Sequence, residues 1–73
     1  MKGGNVMEYQ IFTDTLQKEL LKKQALSRLN RTNLAKHLNL SRSTIQDVLD
    51  KPTPFVVSGK TFTAVNNYLL EDL

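Results

Sequence analysis

Residues Arg31–Asp50 read RTNLAKHLNLSRSTIQDVLD, and the rest of the chain is organised around them. Their apolar side chains recur every three or four positions in two short runs, the spacing that places side chains on one face of an α-helix. The pattern predicts one helix over Arg31–Leu38 and a second over Arg42–Asp50. The residues that define the two inward faces are Leu34, Ala35, Leu38, Ile45, Val48 and Leu49.

A tight turn between these two helices is predicted at Asn39, Leu40 and Ser41. Asn39 tolerates the left-handed backbone conformation that ends a helix, a place that Gly usually occupies. Leu40 is an apolar residue that can fill the space between the helices. Ser41 can cap the second helix by accepting a hydrogen bond from an amide two or three residues later. Ala35 is small enough to let the two helices cross closely.

The chain has 73 residues, which gives room for one small domain, and it contains no cysteine for a disulfide framework or a thiolate metal site. No apolar run reaches the length of a membrane span, so we expect a cytoplasmic protein. The net charge of +3 is unevenly distributed, with seven basic residues and one acid from Lys18 to Arg42 and an excess of acids from Asp47 onwards. A basic surface of this kind suits phosphate or an acidic protein.

The Arg31–Asp50 pattern resembles the helix-turn-helix of Cro/CI-type phage regulators. Ala35, Leu40 and Ile45 fall at that family's spacing, and Asn39 stands where the family usually has Gly. The short length and the C-terminal segment also resemble the modulator-of-repression (antirepressor) proteins of temperate phages of Gram-positive bacteria. The resemblance implies a part in the lysis–lysogeny switch, in which such proteins complex the phage repressor and disable it.

The flanking segments extend the prediction to an all-α domain of four to five helices over residues 7–73. Residues 1–6, MKGGNV, are expected to be a flexible lead-in, and Met7 is expected to be an authentic translation start. The first helix is predicted from about Met7 to Leu26. Ile11 lies nearly opposite the apolar face of that helix and marks either a stray exposed side chain or a partner surface. The predicted apolar face consists of Tyr9, Phe12, Leu16 and Leu20.

The C-terminal segment, which follows two prolines, permits two predictions. In the first, Ser58 caps a helix with an apolar inner face. In the second, Phe55–Val57 pairs with Lys60–Ala64 as a β-hairpin, and a short final helix follows. The longer apolar stripe favours the helix, and Phe55 and Val57 are expected to pack into the core in either case. The inner face of the predicted helix is Phe62, Val65, Leu69 and Leu73.

The sequence predicts no catalytic site. His37 is the single histidine, and it is expected to be exposed on the second predicted helix. Asp47 and Asp50 lie about one helical turn apart, but no apolar cleft around them is predicted that would shift their acidities. A serine flanked by glycines and a complete phosphate-cradling loop are both missing from the sequence. We therefore expect no enzyme activity, no cofactor, no metal and no small-molecule substrate.

The outward face of the helix over Arg42–Asp50 is the predicted contact surface. In a DNA-reading protein this face enters the major groove, where Arg42 suits guanine and Gln46 suits adenine. The carboxylates of Asp47 and Asp50 oppose a polyanion and suit instead the basic DNA-reading surface of another regulator. The candidate contact residues are Arg31, Lys36, Ser41, Arg42, Ser43, Gln46, Asp47 and Asp50.

Three functions are compatible with these residues. The leading expectation is a regulator that binds its cognate phage repressor and blocks the repressor's DNA binding. The alternative is a Cro-like repressor that binds operator DNA directly, as a dimer, through Arg42, Ser43 and Gln46. A third is an interaction module of the antitoxin type, which would bind neither. The expected partners are therefore a repressor protein and operator DNA, alone or with that repressor, and no membrane.

Overall fold

The computed structural model describes residues 9–71. This part of the chain is mostly helical and contains four helices, as predicted, but it also contains two short strands that form a sheet, which the all-α prediction did not include. The predicted lead-in over residues 1–6 and the predicted start at Met7 lie outside the described residues. The elements, in chain order, are β1 (Tyr9–Phe12), α1 (Asp14–Ser27), α2 (Arg31–Leu38), α3 (Arg42–Asp50), β2 (Phe55–Ser58) and α4 (Gly59–Leu70).

Helices α2 and α3 have the predicted bounds because the turn between them satisfies the backbone at both ends. Asn39 adopts the left-handed conformation, at φ 57° and ψ 44°. The N–H groups of Asn39 and Leu40 donate to carbonyls in the last turn of α2 at 3.2 and 2.9 Å, which is the usual way to end a helix. Ser41 Oγ then accepts a hydrogen bond from the Thr44 N–H at 3.1 Å and caps α3.

The inward faces of α2 and α3 lie in one hydrophobic core. Ile45 and Leu34 are fully buried, and the small side chain of Ala35 is buried beside them. Gln46 and Asp47 are exposed, so α3 has the orientation that the sequence predicts. The buried apolar residues are Phe12, Leu20, Leu34, Ala35, Leu38, Ile45, Val48, Leu49, Val57, Val65 and Tyr68.

The helix predicted from Met7 to Leu26 is wrong at its N-terminal end, where Tyr9–Phe12 form strand β1. Helix α1 begins only at Asp14, because the Thr13 side chain accepts a hydrogen bond from the first turn at 3.2 Å and caps the helix. Aromatic and β-branched residues favour a strand when a partner strand is present. Tyr9, predicted on the buried face, is 61% exposed.

Strand β2 is the partner of β1, and the two pair antiparallel with Phe12 opposite Phe55. The centroids of these two rings are 5.3 Å apart. Val57 is buried and Phe55 is half-buried, as expected for core residues. The predicted hairpin with Lys60–Ala64 is wrong, because those residues belong to α4. The hairpin prediction therefore located the strand at Phe55 correctly but assigned it the wrong partner, because it pairs with β1.

Helix α4 is capped by Ser58, as predicted, and its buried face is centred on Val65 and Tyr68, each 1% exposed. Phe62 and Leu69, which the sequence places on this face, are half-buried. The predicted Leu73 lies outside the described residues. Tyr68 can be buried because its hydroxyl donates to the side chain of the last residue of α1 at 2.9 Å, which satisfies its polar end.

Replacing Ile45 by Ala should lower the free energy of unfolding by about 2–5 kcal/mol, because it leaves a cavity in the shared core. Gln46→Ala, next to it on the exposed side of α3, should change the free energy of unfolding by less than about 0.5 kcal/mol. Urea denaturation of the two variants measures both effects. An equal loss in the two variants would contradict the orientation of α3 described above.

Candidate functional site

Helix α3 is held at its C-terminal end by a side chain of α1. The Gln17 amide Nε2 donates to the backbone carbonyls of Val48, at 3.1 Å, and Lys51, at 2.9 Å. These carbonyls have no partner within α3 because they belong to its end. The bonds fix α3 from its inner side, which leaves the opposite side open to a partner.

Arg31 and Asp50 form a two-pronged ion pair that joins the start of α2 to the end of α3. The Nη1 and Nη2 atoms of Arg31 lie 2.5 and 2.8 Å from the two carboxylate oxygens of Asp50. Hydrogen bonding by the guanidinium lowers the pKa of Asp50 below its usual value, and the same bonds raise the pKa of Arg31. The two predicted contact residues therefore neutralise each other.

Asp47 lies in a different situation from Asp50. Its side chain is on the exposed face of α3, and no ion pair within residues 9–71 involves it. Arg42, Ser43 and Gln46 are exposed on the same short helix. The outward face of α3 therefore presents one cation, one carboxylate and two uncharged polar side chains, once the neutralised Asp50 is set aside.

The other two predicted contact residues, Lys36 and Ser41, are also exposed. The Ser41 hydroxyl is engaged locally, since it caps α3 and lies 2.8 Å from the Thr44 hydroxyl. Lys36 lies on α2 with its side chain in solvent. The structure thus brings all eight predicted residues onto α2, α3 and the turn, and it places two of them, Arg31 and Asp50, in direct contact.

His37 is exposed, as expected, but it also joins α2 to the end of α4. Its Nε2 atom lies 2.9 Å from the Glu71 carboxylate, and its ring packs edge-on against Tyr68 with centroids 5.4 Å apart. Lys23 of α1 reaches the same place, where its ammonium donates to the Glu71 carbonyl oxygen. These contacts join α1 and α2 to the end of α4. None of them involves a residue of α3.

A groove between α3 and β2 adjoins the exposed face of α3, and the sequence did not reveal it. Thr44, Asp47 and Lys51 line its helical side, and the whole of β2 lines the other. The Lys51 ammonium lies 5.4 Å from the centre of the Phe55 ring, within reach of a cation–π attraction. The sequence feature that could have indicated one wall of this groove is the Phe-Val-Val run after Pro54, which is typical of a strand.

Comparison of the chain with protein-family models, with curated proteins and with solved structures found no match. None of the helices between Tyr9 and Glu71 is both long enough and apolar enough to span a membrane. Across the same residues, no group of three or more acidic or histidine side chains is arranged to hold a metal ion. The function is therefore inferred from the residues on α2 and α3.

The pKa of Asp50, followed by NMR during an acid titration, should lie below the ordinary aspartate value of about 3.9. Arg31→Gln should raise it towards that value, because the hydrogen bonds to the carboxylate are lost. The control Arg42→Gln also removes one positive charge, in this case from α3, and should leave the Asp50 pKa unchanged.

The sign of the pH effect follows from the lowered pKa. The pair contributes stability above the carboxyl pKa of the unfolded chain, and this contribution disappears as the pH falls through the lower folded value. An Asp50 pKa that Arg31→Gln does not move would contradict the ion pair.

Proposed function

We propose that this protein is a phage genetic-switch regulator that binds its cognate phage repressor and blocks that repressor's DNA binding. In this proposal the α2–turn–α3 unit is a helix-turn-helix of the Cro/CI type that makes protein contacts. The observation that carries the proposal is the exposed carboxylate of Asp47, which has no ionic partner within residues 9–71. A carboxylate in the middle of α3 opposes a DNA backbone and favours a basic protein surface.

Electrostatic complementarity supports this choice of partner. A repressor needs Lys and Arg on its DNA-reading surface, because phosphate contacts supply much of its affinity. Asp47 can accept hydrogen bonds from such a side chain, and the attraction strengthens where the interface excludes water. Arg42 and Gln46, exposed on the same helix, can donate to backbone carbonyls or acidic groups at the rim of that surface.

The groove beside α3 adds to such an interface a concave site lined by polar as well as apolar side chains. Asp47 lies on its helical wall, and Val56, which is 56% exposed, lies on the strand wall. Interfaces between proteins typically combine an apolar centre with polar groups around it. A repressor side chain in the groove, with a basic neighbour on Asp47, would place this domain over the DNA-reading surface and exclude DNA sterically.

Asp47→Lys should weaken the complex with the repressor encoded by the neighbouring gene by about tenfold or more, equivalent to about 1.4 kcal/mol. Isothermal titration calorimetry at physiological salt measures the change. The matched control is Glu19→Lys, which makes the same charge change at an exposed position on α1. The proposal fails if the repressor does not bind the wild-type protein, or if both variants bind it with wild-type affinity.

The second candidate function is direct binding of operator DNA, as in a Cro-like repressor. The Arg31–Asp50 ion pair favours it, because one of the two carboxylates that oppose DNA is already neutralised. Arg42 and Ser43 are exposed in the first turn of α3, with Gln46 one turn later, and the first turn of a recognition helix is where base edges are read. Asp47 remains the argument against this function.

The same substitution separates the two functions because its effect on DNA binding has the opposite sign. Asp47→Lys should tighten binding to operator DNA by replacing a repelling charge with an attracting one. Titration of labelled operator at two salt concentrations measures this, with Glu19→Lys again as the control. Tighter DNA binding together with an unchanged repressor affinity would select the second candidate.

A further inference from the structure

The outer face of the β1–β2 sheet is apolar and exposed. Tyr9 and Ile11 of β1 are 61% and 53% exposed, and Val56 of β2 is 56% exposed. Ile11 lies directly opposite Val56 in the register, so the two side chains stand on the same face. Three neighbouring apolar side chains on a two-stranded sheet form a patch rather than isolated exposed residues.

Strand β1 also has an open edge. Within the described residues the sheet contains only β1 and β2, and the side of β2 away from β1 faces α3 across the groove. Among residues 9–71, the backbone groups on the other side of β1 therefore have no strand to pair with. Natural edge strands are usually protected by Lys, by Pro or by a bulge. Tyr9–Phe12, with the sequence YQIF, contains no charged residue and no proline.

We propose that β1 pairs antiparallel with β1 of a second copy of this chain, which joins the two sheets into one of four strands. The absence of charged residues from β1 supports a second copy of this chain as the partner of its open edge. Two identical charged surfaces repel each other, whereas the uncharged edge Tyr9–Phe12 can meet itself without unpaired charges. The chain carries a net charge of +3, so self-association through its basic surfaces is disfavoured.

The alternation of the strand fixes the register of this pairing. Directly opposite residues of an antiparallel pair stand on the same face, so outer residues must face outer residues. A two-fold axis through Gln10 places Tyr9 opposite Ile11 of the second copy, and the symmetry repeats this pair. Aromatic side chains opposite β-branched ones stabilise a sheet. An axis through Ile11 would place Ile11 opposite itself and Tyr9 opposite Thr13, which lies outside β1, so the structure favours the axis through Gln10.

The small size of the contact predicts a weak dimer. Stable protein interfaces bury about 1,200–2,000 Å² in total. A four-residue strand and three partly exposed side chains from each copy supply less than this. Association is therefore expected to depend on concentration, with monomer at about 10 µM and dimer prominent at about 1 mM.

Sedimentation equilibrium over this concentration range tests the proposal. The average mass of the wild-type protein should rise from 8.3 kDa towards twice that value. Ile11→Lys places a charge on the outer face of each edge strand and should keep the mass at 8.3 kDa throughout. The control Leu26→Lys adds the same charge at a residue of α1 that is 60% exposed, and it should associate like the wild type. Circular dichroism checks that all three proteins are folded.

Cross-linking tests the register separately. The chain contains no cysteine, so Gln10→Cys introduces a single thiol on the proposed two-fold axis. A short thiol-to-thiol cross-linker should convert most of this variant to covalent dimer at about 1 mM, and Leu26→Cys should yield little. A rise in mass without a cross-linked Gln10→Cys dimer would overturn the axis through Gln10.

A wild-type protein that remains at 8.3 kDa at the highest concentration would overturn the proposal, as would an Ile11→Lys variant that associates normally. The test needs neither repressor nor DNA, so its outcome is independent of the proposed function. Asp47→Lys, which tests that function, should leave the dimerisation unchanged, because Asp47 lies on α3.

Discussion

Burial of Ile45 in the core shared by α2 and α3 is the constraint from which the rest of the surface follows. A nine-residue helix has little stability of its own, so packing decides which of its faces is turned inward. Once Ile45 is inside, helical geometry turns Ser43, Gln46 and Asp47 towards solvent. The left-handed Asn39 sets the angle at which α3 leaves α2.

The charges on the exposed surface are fewer than the sequence suggests. Arg31 and Asp50 lie nineteen residues apart and neutralise each other across the two helices. Asp47 and Arg42 are then the charges that α3 itself presents to a partner. A surface with one charge of each sign is poorly suited to strong non-specific binding of DNA. It suits a partner whose own charges are arranged to match it.

The parts of the fold that depend on local sequence could be predicted, and the parts that depend on distant pairing could not. The end of α2 and the start of α3 follow from Asn39 and Ser41, which end or cap a helix through bonds to near neighbours. Tyr9–Phe12 has an apolar spacing that fits a helix equally well. It becomes a strand only because Phe55–Ser58, more than forty residues away, pairs with it.

The candidate site follows the same division. The exposure of the α3 residues was predictable from periodicity, because each outward position is fixed by its inward neighbours. The Arg31–Asp50 pair and the groove between α3 and β2 required three-dimensional information, since their members belong to different elements. The most direct measurement of the central claim is an NMR titration of labelled protein with the repressor's DNA-reading domain. We expect the largest shift changes at the exposed positions between Arg42 and Asp47. Changes confined to α1 and α4, with α3 unaffected, would contradict the claim that α3 contacts the partner.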